Sequence, residues 1–228
     1  MTTLPLLVPP AGSPPGPSVV PSFVLSLGSP LVPLLVAVIG GYLLGSIPVA
    51  VLVAGRRGVD PREEGDRNPG FWNVRERLGA RAAAPVFAGD MAKGVAAGLL
   101  GLVAGGAHTT ALGAVAGPSV PLAYLAVGAA MLGHAWPVFA GFRGGRSVLT
   151  FAGGMAVICP PAFALALAVL AATRLATGSF ALAARAGVFA IPVLQLAFAP
   201  IGHVAATGAL MCLIGLRFGQ AALAARRP

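Results

Sequence analysis

This chain of 228 residues is 57% hydrophobic and only 9% charged. Soluble domains carry about a quarter charged residues, so an ordinary soluble domain is excluded. The net charge of +9 does not indicate a nucleic-acid-binding stripe, because the arginines stand at the ends of long uncharged segments. The two cysteines lie in apolar segments and give neither a disulfide framework nor a metal-binding spacing. The composition therefore predicts an all-α, polytopic membrane protein.

The chain begins with a segment of different composition. Residues 1–30 are rich in Pro, Ser and Gly and contain no Lys or Arg. A secretory signal peptide would start with basic residues ahead of an apolar core, so we predict a disordered lead instead. The membrane domain is predicted over 31–217, followed by a basic tail over 218–228.

About seven transmembrane helices are predicted from the apolar segments that follow. Roughly 18 apolar residues are enough for one span. The fourth segment is short for roughly 30 Å of hydrocarbon, so it is predicted to be tilted or re-entrant. The predicted spans are about 31–54, 83–106, 110–133, 146–159, 162–176, 179–198 and 201–217.

The basic residues predict the orientation of these spans. With the N-terminus outside, almost all Lys and Arg fall in the inner loops, at inner span ends or in the tail. The short outer loops, near 107–109, 160–161 and 199–200, contain none. The positive-inside rule therefore places the loops 55–82 and 134–145 at the cytoplasmic face of the inner (plasma) membrane.

In the first span, "GYLLGSIP" contains a Ser-Ile-Pro within an apolar segment. Pro48 is predicted to kink the helix and expose backbone groups. The alternative is that this piece serves only helix packing, through Gly41 and Gly45.

The loop 55–82 holds most of the acidic residues of the chain. Its turn-forming residues predict an ordered, folded-back loop rather than a tether. Glycines allow backbone amides to approach an anion, and the nearby arginines would add charge-assisted hydrogen bonds. The loop is thus a candidate phosphate site, the alternative being a solvated inner loop that sets orientation. The turn residues are Gly65, Asn68, Pro69, Gly70 and Asn73, and the arginines include Arg62, Arg67 and Arg75.

Asp90 and Lys93 lie three residues apart, and hence on one face of the second span. Such residues cost roughly 2.5–3.5 kcal/mol at the centre of a span, so they are usually functional or paired. The alternative is a structural pair in which Lys93 extends to the interface.

The segment "GHAWPVFAGFRGGRSVLT", residues 133–150, is a Gly-rich turn ahead of a helix. Arg143 and Arg146 flank a Gly pair, and a helix N-terminus binds anions. Spacing and the absence of a Lys exclude a nucleotide P-loop. His134 is a ligand or base, or else a hydrogen-bonded structural residue. Neither a Ser/His/Asp arrangement nor a zinc spacing is visible, so no metal or cofactor is predicted.

The chain resembles the bacterial acyl-phosphate:glycerol-3-phosphate acyltransferases in the order and spacing of its motifs. These motifs are "GYLLGSIP", "GVDPR", the Gly and Asn residues of the loop, "D..KG" and "GH..PVF.GF.GG". The resemblance covers about residues 40–215 and implies an integral membrane fold of seven helices. It also implies the reaction: the 1-hydroxyl of glycerol 3-phosphate attacks acyl phosphate, giving lysophosphatidic acid and phosphate for phospholipid synthesis. Membrane lipid is then a partner, and no nucleic acid, metal or covalent enzyme intermediate is implied.

The resemblance also indicates which residues form the site. The catalytic candidates are Lys93, Asn68, Asp90 and His134. The candidates for binding substrate or phosphate are Ser46, Arg62, Gly65, Gly70, Asn73, Arg143, Gly144, Gly145, Arg146, Ser147 and Thr150.

Several positions depart from the family pattern, and they are predicted to weaken phosphate binding. Asp66 and Arg67 replace Ser and Gly, Phe71 and Trp72 replace Ala and Thr, and Glu76 replaces Arg. Arg143 and Arg146 stand for Lys, Ser147 stands for Gly, Leu149 stands for Ala, and a C-terminal His and Asn are missing although Arg217 is kept.

Two alternatives to the acyltransferase follow. The departures favour a catalytically impaired or repurposed paralogue that binds a phosphate or lipid ligand. Asp90 and Arg185 inside spans favour a small transporter, although the charge gathers at one interface and no inverted repeat is visible.

Overall fold

The computed structural model describes residues 30–106, 108–109, 115–116, 120–224 and 226. The lead predicted over 1–30 lies outside this part of the chain, apart from Pro30. The helices are α1 (Leu31–Leu35), α2 (Gly41–Ser46), α3 (Val49–Gly55), α4 (Phe71–Leu78), α5 (Ala80–Ala104), α6 (Val120–Ala135), α7 (Val148–Ile158), α8 (Pro160–Thr177), α9 (Phe180–Gln195) and α10 (Ile201–Ala224). A π-helical turn, Val36–Gly40, joins α1 to α2, and a 3-10 turn, Val138–Ala140, follows α6.

The apolar helices confirm the all-α membrane class. In the described part of the chain, five are long and apolar enough to cross a membrane: Leu31–Gly55, Ala80–Ala104, Val120–Ala140, Pro160–Thr177 and Ile201–Ala224. The shorter α7 and α9 are also apolar. Within the described residues the only strands are β1 (His108–Thr109) and β2 (Val115–Ala116), which pair antiparallel.

The start of the third span was predicted ten residues too early. Residues 115–116 are a strand, and α6 begins only at Val120. Gly117 and Pro118 stand just before that helix, where Pro is tolerated at a start but not in an interior. Hydropathy alone did not reveal this boundary.

Two other boundaries also differ from the prediction. The loop predicted over 55–82 contains the helix α4, and α5 begins at Ala80. The last helix continues past 217 to Ala224. It can do so because no Pro interrupts it and because its Arg217 is paired inside the protein.

The break in the first span is confirmed. The helix α2 ends at Ser46, Ile47 is extended with ψ 114°, and α3 begins at Val49. Pro48 has no N–H to donate, so the helical ladder cannot continue through it. The carbonyls just before the break are therefore available to other donors.

The helix α6 lies at the centre of the fold, with most of its length buried, whereas α8 and α10 are largely exposed. It packs against α2, α5 and α7. Close approach depends on glycine, as is usual between membrane helices. A Cβ on Gly45 would collide with the backbone of Ala130, and one on Gly94 with the carbonyl of Thr150. Gly45 thus serves helix packing, and the same segment also contains the kink at Pro48.

Three buried polar side chains connect α6 to the last two helices. Gln195 Nε2 donates to Tyr124 OH over 2.7 Å, and Thr207 Oγ1 donates to Gln195 Oε1 over 2.7 Å. Because polar groups in an apolar interior need partners, this network fixes how α9 and α10 sit against α6.

Candidate active site

Lys93 is the centre of a buried polar cluster between α2, α5 and α6. Its side chain is 5% exposed, and its Nζ donates to the carbonyl of Ile47 over 2.8 Å and to that of Gly45 over 3.3 Å. Both carbonyls belong to the break before Pro48. The kink in the first span therefore supplies the acceptors that hold a buried ammonium.

Asp90 neutralises this ammonium. Its Oδ1 lies 2.9 Å from Lys93 Nζ, with both side chains at most 5% exposed. The contact is an ion pair without hydrogen-bond geometry, so Oδ1 retains its capacity to accept a hydrogen bond among the described residues. A buried carboxylate oxygen with a free lone pair is a candidate acceptor for a substrate hydroxyl.

His134 closes the cluster from α6. Its Nδ1 lies 3.1 Å from Lys93 Nζ and 3.6 Å from Asp90 Oδ1. Its carbonyl accepts from the backbone N–H of Gly145 over 3.0 Å, and a Cβ on Gly145 would collide with its Nε2. His134 thus connects the buried charge pair to the Gly-rich turn.

A small cleft lies at this cluster. The buried side chains of Asp90, Lys93 and His134 line it, and so does the exposed side chain of Arg143. The other lining residues are Gly45, Ile47, Pro48, Val49, Ala50, Val51, Pro69 and Pro137. The lining of the cleft therefore combines apolar residues, several of them from α3, with the buried charge pair.

Asn73 organises the loop that leads into the cleft. Its Nδ2 donates to the carbonyls of Pro61 and Glu64, each over 2.8 Å, and to that of Asn68 over 3.2 Å. Gly65 has φ +63°, and a Cβ there would collide with Asn73 Oδ1. The loop 56–70 is thus ordered and folded back, as its turn residues predicted.

Asp60 and Arg62 form a local ion pair in the same loop. Arg62 Nη2 donates to Asp60 Oδ2 over 2.7 Å, and Arg62 Nε donates to Asp60 Oδ1 over 2.9 Å. These side-chain hydrogen bonds lower the pKa of Asp60 to about 2, against the smaller opposing effect of burial. Arg62 also donates to the carbonyl of Ala140 over 3.3 Å, which fixes this loop against the 3-10 turn.

Arg217 shapes the Gly-rich turn from α10. Its Nη2 donates to the carbonyl of Gly144 over 2.8 Å and its Nε to that of Gly145 over 3.1 Å. Its guanidinium also lies 5.0 Å from the ring centre of Trp136. The sequence indicated Arg217 only as a residue shared with the family; a lone charge in a long apolar helix was the signal for a specific partner.

Two ion pairs connect the loop 56–70 to the Gly-rich turn. Arg143 Nη1 lies 2.7 Å from Glu63 Oε1, and Arg146 Nη2 lies 3.0 Å from Asp66 Oδ2. Asp66 therefore faces a cation of its own protein. The sequence did not reveal this, because the two partners are far apart in the chain.

The predicted hydroxyl residues are placed differently from the charged ones. Ser46, Ser147 and Thr150 are buried, and they donate to the carbonyls of Tyr42, Met131 and Asp90 respectively. Asn68 lies beside the lining residue Pro69, and its backbone N–H donates to Asp66 Oδ1 over 3.1 Å. The structure thus brings Asp90, Lys93, His134 and Arg143 together at the cleft and leaves the hydroxyls in the surrounding packing.

Phe71 and Trp72, which replace small residues of the family pattern, begin α4 and form an aromatic cluster. Phe71 contacts Trp72 at 5.2 Å and Phe87 at 5.5 Å between ring centres, and Trp72 contacts Phe180 at 5.3 Å. These departures connect α4 to α5 and α9. They lie outside the set of residues that lines the cleft.

Comparison with known proteins identifies the family of this chain. Residues 35–223 match the family described as "Glycerol-3-phosphate acyltransferase". The chain is 42% identical over 138 residues to the glycerol-3-phosphate acyltransferase of Rubrobacter xylanophilus, which covers 59% of this chain and 63% of the relative. It is 36% identical to that of Clostridioides difficile, over 72% of this chain and 76% of the relative. The match thus spans less than two thirds of the first of these relatives.

Solved structures show the same fold. The glycerol 3-phosphate form of PlsY (YgiH), an integral membrane glycerol 3-phosphate acyltransferase, superposes with a TM-score of 0.69 and 27% identity, over 82% of this chain and 88% of that one. Its lysophosphatidic acid form gives a TM-score of 0.66 and 26% identity, over 86% and 94% of the two chains. The chain therefore belongs to the glycerol-3-phosphate acyltransferase family of integral membrane proteins.

Proposed function

We propose that this protein transfers an acyl group from acyl phosphate to the 1-hydroxyl of glycerol 3-phosphate, releasing phosphate and lysophosphatidic acid. The observation that carries the proposal is the buried group of Lys93, Asp90 and His134, which lines a small cleft together with Arg143. Family membership supports the reaction. No metal or cofactor is needed, because both substrates bring their own activated or nucleophilic groups.

Asp90 and Lys93 have different roles in the proposed reaction. Asp90 Oδ1, which has a free lone pair, accepts the hydrogen bond of the attacking hydroxyl and takes its proton. The Lys93 ammonium, fixed by two carbonyls, stabilises negative charge that develops on the acyl phosphate. As the acyl–oxygen bond to glycerol forms, the bond to phosphate breaks and phosphate leaves with its electron pair.

The outer part of the site binds the phosphate groups. Arg143, which lines the cleft, is in the position to attract them, and Arg62 and Arg146 supply further positive charge on the two loops. Gly65 and Gly70 let the loop pack against Asn73 and Asn68, and Gly144 and Gly145 let the Gly-rich turn pack against His134. Ser46, Ser147 and Thr150 hold the surrounding helices through backbone carbonyls, and Asn68 and Asn73 order the loop.

We further propose that this face is cytoplasmic, in the inner (plasma) membrane, with the N-terminus outside and seven spans. The support is the distribution of Lys and Arg, which concentrates in 55–82, 134–146 and beyond 217. Cysteine substitutions at Arg57 and at Ala199, labelled by a membrane-impermeant maleimide in intact cells, test this. Labelling of position 57 without permeabilisation would contradict the proposal.

Purified protein in detergent, given palmitoyl phosphate and labelled glycerol 3-phosphate, tests the reaction. We expect lysophosphatidic acid to form with release of one phosphate per turnover, and the Lys93→Ala variant to lose this activity. Wild-type turnover no higher than that of Lys93→Ala would overturn the proposal.

A second candidate is a catalytically impaired relative that binds a phosphate ligand without turnover. The ion pairs of Arg143 with Glu63 and of Arg146 with Asp66 favour it, since both cations already have partners. Saturable binding of glycerol 3-phosphate by a protein that forms no product would favour this candidate over the first.

A further inference from the structure

The pair Asp66–Arg146 is the less exposed of the two ion pairs that join the loop 56–70 to the Gly-rich turn. The Arg146 and Asp66 side chains are 23% and 40% exposed, against 57% and 61% for Arg143 and Glu63. The guanidinium of Arg146 also lies 4.7 Å from the ring centre of Phe218. Arg146 is therefore held on one side by a carboxylate and on another by an aromatic face.

Both oxygens of Asp66 have partners. Oδ1 accepts from the backbone N–H of Asn68 over 3.1 Å, and Oδ2 lies 3.0 Å from Arg146 Nη2. The first contact fixes the carboxylate within the turn, and the second directs it at the guanidinium. A carboxylate and a phosphate present similar pairs of oxygens to a guanidinium, so Asp66 stands where a phosphate oxygen would bind.

Arg146 is adjacent to the site. Gly145, the residue before it, donates its backbone N–H to the carbonyl of His134 over 3.0 Å, and a Cβ on Gly145 would meet the carbonyl of Pro69. Pro69 and His134 both line the cleft. Nε of Arg146 is buried and has no hydrogen-bond partner among the described residues. The guanidinium thus keeps an unused donor in addition to the one engaged by Asp66.

We propose that Asp66 is an internal competitor for the phosphate group of glycerol 3-phosphate, and that it sets the affinity of the site by neutralising Arg146. This inference rests on the proposed function. Asp66 does not take part in acyl transfer; binding of a dianion must either displace its carboxylate from Arg146 or tolerate a like charge beside it. The charge of Asp66 therefore raises KM and leaves kcat alone.

The variant Asp66→Asn tests this, because the amide oxygen keeps the turn hydrogen bond while the charge is lost. We expect KM for glycerol 3-phosphate to fall by about two- to fivefold, the range expected for removing one partly exposed charge, with kcat within about twofold. Inhibition by inorganic phosphate should strengthen by a similar factor. Asp66→Ser, which also keeps a turn acceptor, should reproduce the result and guards against misfolding of the first variant.

Glu76→Gln is the matched control. Glu76 is one of the departures from the family pattern that the sequence predicted to weaken phosphate binding. The structure places it on α4 as an exposed carboxylate outside the lining of the cleft, and it forms no ion pair with any described residue. The Glu76→Gln substitution changes the net charge of the protein as much as Asp66→Asn does. Because Glu76 does not pair with Arg146, KM for glycerol 3-phosphate should stay at the wild-type value. An equal fall in KM in Glu76→Gln and Asp66→Asn would show a bulk charge effect and overturn the proposal, as would an unchanged KM in both Asp66 variants.

Binding of inorganic phosphate, followed by thermal shift in detergent, separates this inference from the proposed function. If the wild type forms no lysophosphatidic acid, the proposed function fails. The phosphate concentration that gives half of the thermal shift still tests the role of Asp66. A half-saturating phosphate concentration about two- to fivefold lower in Asp66→Asn than in the wild type and Glu76→Gln supports the competitor role. Equal half-saturating concentrations in all three proteins contradict it.

Discussion

Lys93 Nζ lies 3.1 Å from His134 Nδ1, inside a cluster where both side chains are at most 8% exposed. An ammonium has only donors, so the ring nitrogen that faces it must be the acceptor. His134 is then neutral, with its hydrogen on Nε2. In this arrangement the lone pair of His134 is engaged by Lys93, so we propose that His134 positions the ammonium rather than removing a proton from substrate.

Substitutions of His134 distinguish positioning from general base catalysis. In His134→Asn the amide oxygen stands near the place of Nδ1, so we expect kcat within about tenfold of the wild type. His134→Leu leaves a donor of Lys93 unsatisfied, which costs about 1–3 kcal/mol, so we expect kcat to fall by roughly 10- to 100-fold. Steady-state kinetics measure both. Equal inactivation of the two variants would instead indicate that His134 moves a proton.

The Asp90–Lys93 pair predicts strong coupling in stability. Lys93→Gln leaves a buried carboxylate without its partner, and we expect about 3–5 kcal/mol to be lost from the free energy of unfolding. The double variant Asp90→Asn/Lys93→Gln should recover much of this loss while remaining inactive. Reversible unfolding in mixed micelles measures the change in stability, and acyl transfer assays measure the loss of activity. Additive losses of stability in the double variant would contradict the pairing.

Gly94 predicts the effect of filling a helix contact. A Cβ at Gly94 would collide with the backbone of Thr150, so Gly94→Ala must push α5 and α7 apart, at a cost of about 1–3 kcal/mol or more. Gly208→Ala is the control, since a Cβ there meets nothing within 4 Å. A helical Ala is favoured over Gly, so the control should be neutral or slightly stabilising. The thermal unfolding midpoint in detergent measures both, and a comparable midpoint for the two variants would be against this packing.

Arg67 has φ +55°, the left-handed region that favours glycine, at a position where the family pattern has Gly. Arg67→Gly should therefore raise the free energy of unfolding of the loop by about 1 kcal/mol. Arg56→Gly is the control, because Arg56 is also exposed but has φ −63°. Hydrogen exchange of residues 60–70 reports the loop directly. Equal protection in wild type and Arg67→Gly would show that no strain is stored there.

The lowered pKa of Asp60 predicts a pH dependence. The folded pKa is about 2 and the ordinary value is 3.8, so the pair with Arg62 contributes its stability fully above the ordinary value. That contribution is lost as pH falls through the folded pKa. Between pH 4 and pH 2 the wild type should lose protection of the loop 56–70, and Asp60→Asn should show a smaller change in this window. A loss already complete at pH 5 would assign the effect to another group.

The fold class and the centre of the site were predictable from sequence because they depend on local patterns. Long uncharged segments predicted membrane helices, Pro48 predicted the kink, and the spacing of Asp90 and Lys93 predicted one face of one helix. The start of α6 and the helix α4 were missed, since hydropathy does not locate turns or short amphipathic helices. The partners of Asp66, Arg146 and Arg217 were missed for a different reason: contacts between distant segments leave no trace in a single sequence.

The contact of Arg217 with the Gly-rich turn has a consequence for how the protein is made. Arg217 is 72 and 73 residues further along the chain than the carbonyls that it binds. The ribosome therefore delivers α7, α8 and α9 to the membrane before the last cation of the site exists. The Gly-rich turn can reach its final shape only after α10 has been synthesised and inserted, so a nascent chain halted anywhere before α10 carries an unfinished candidate site.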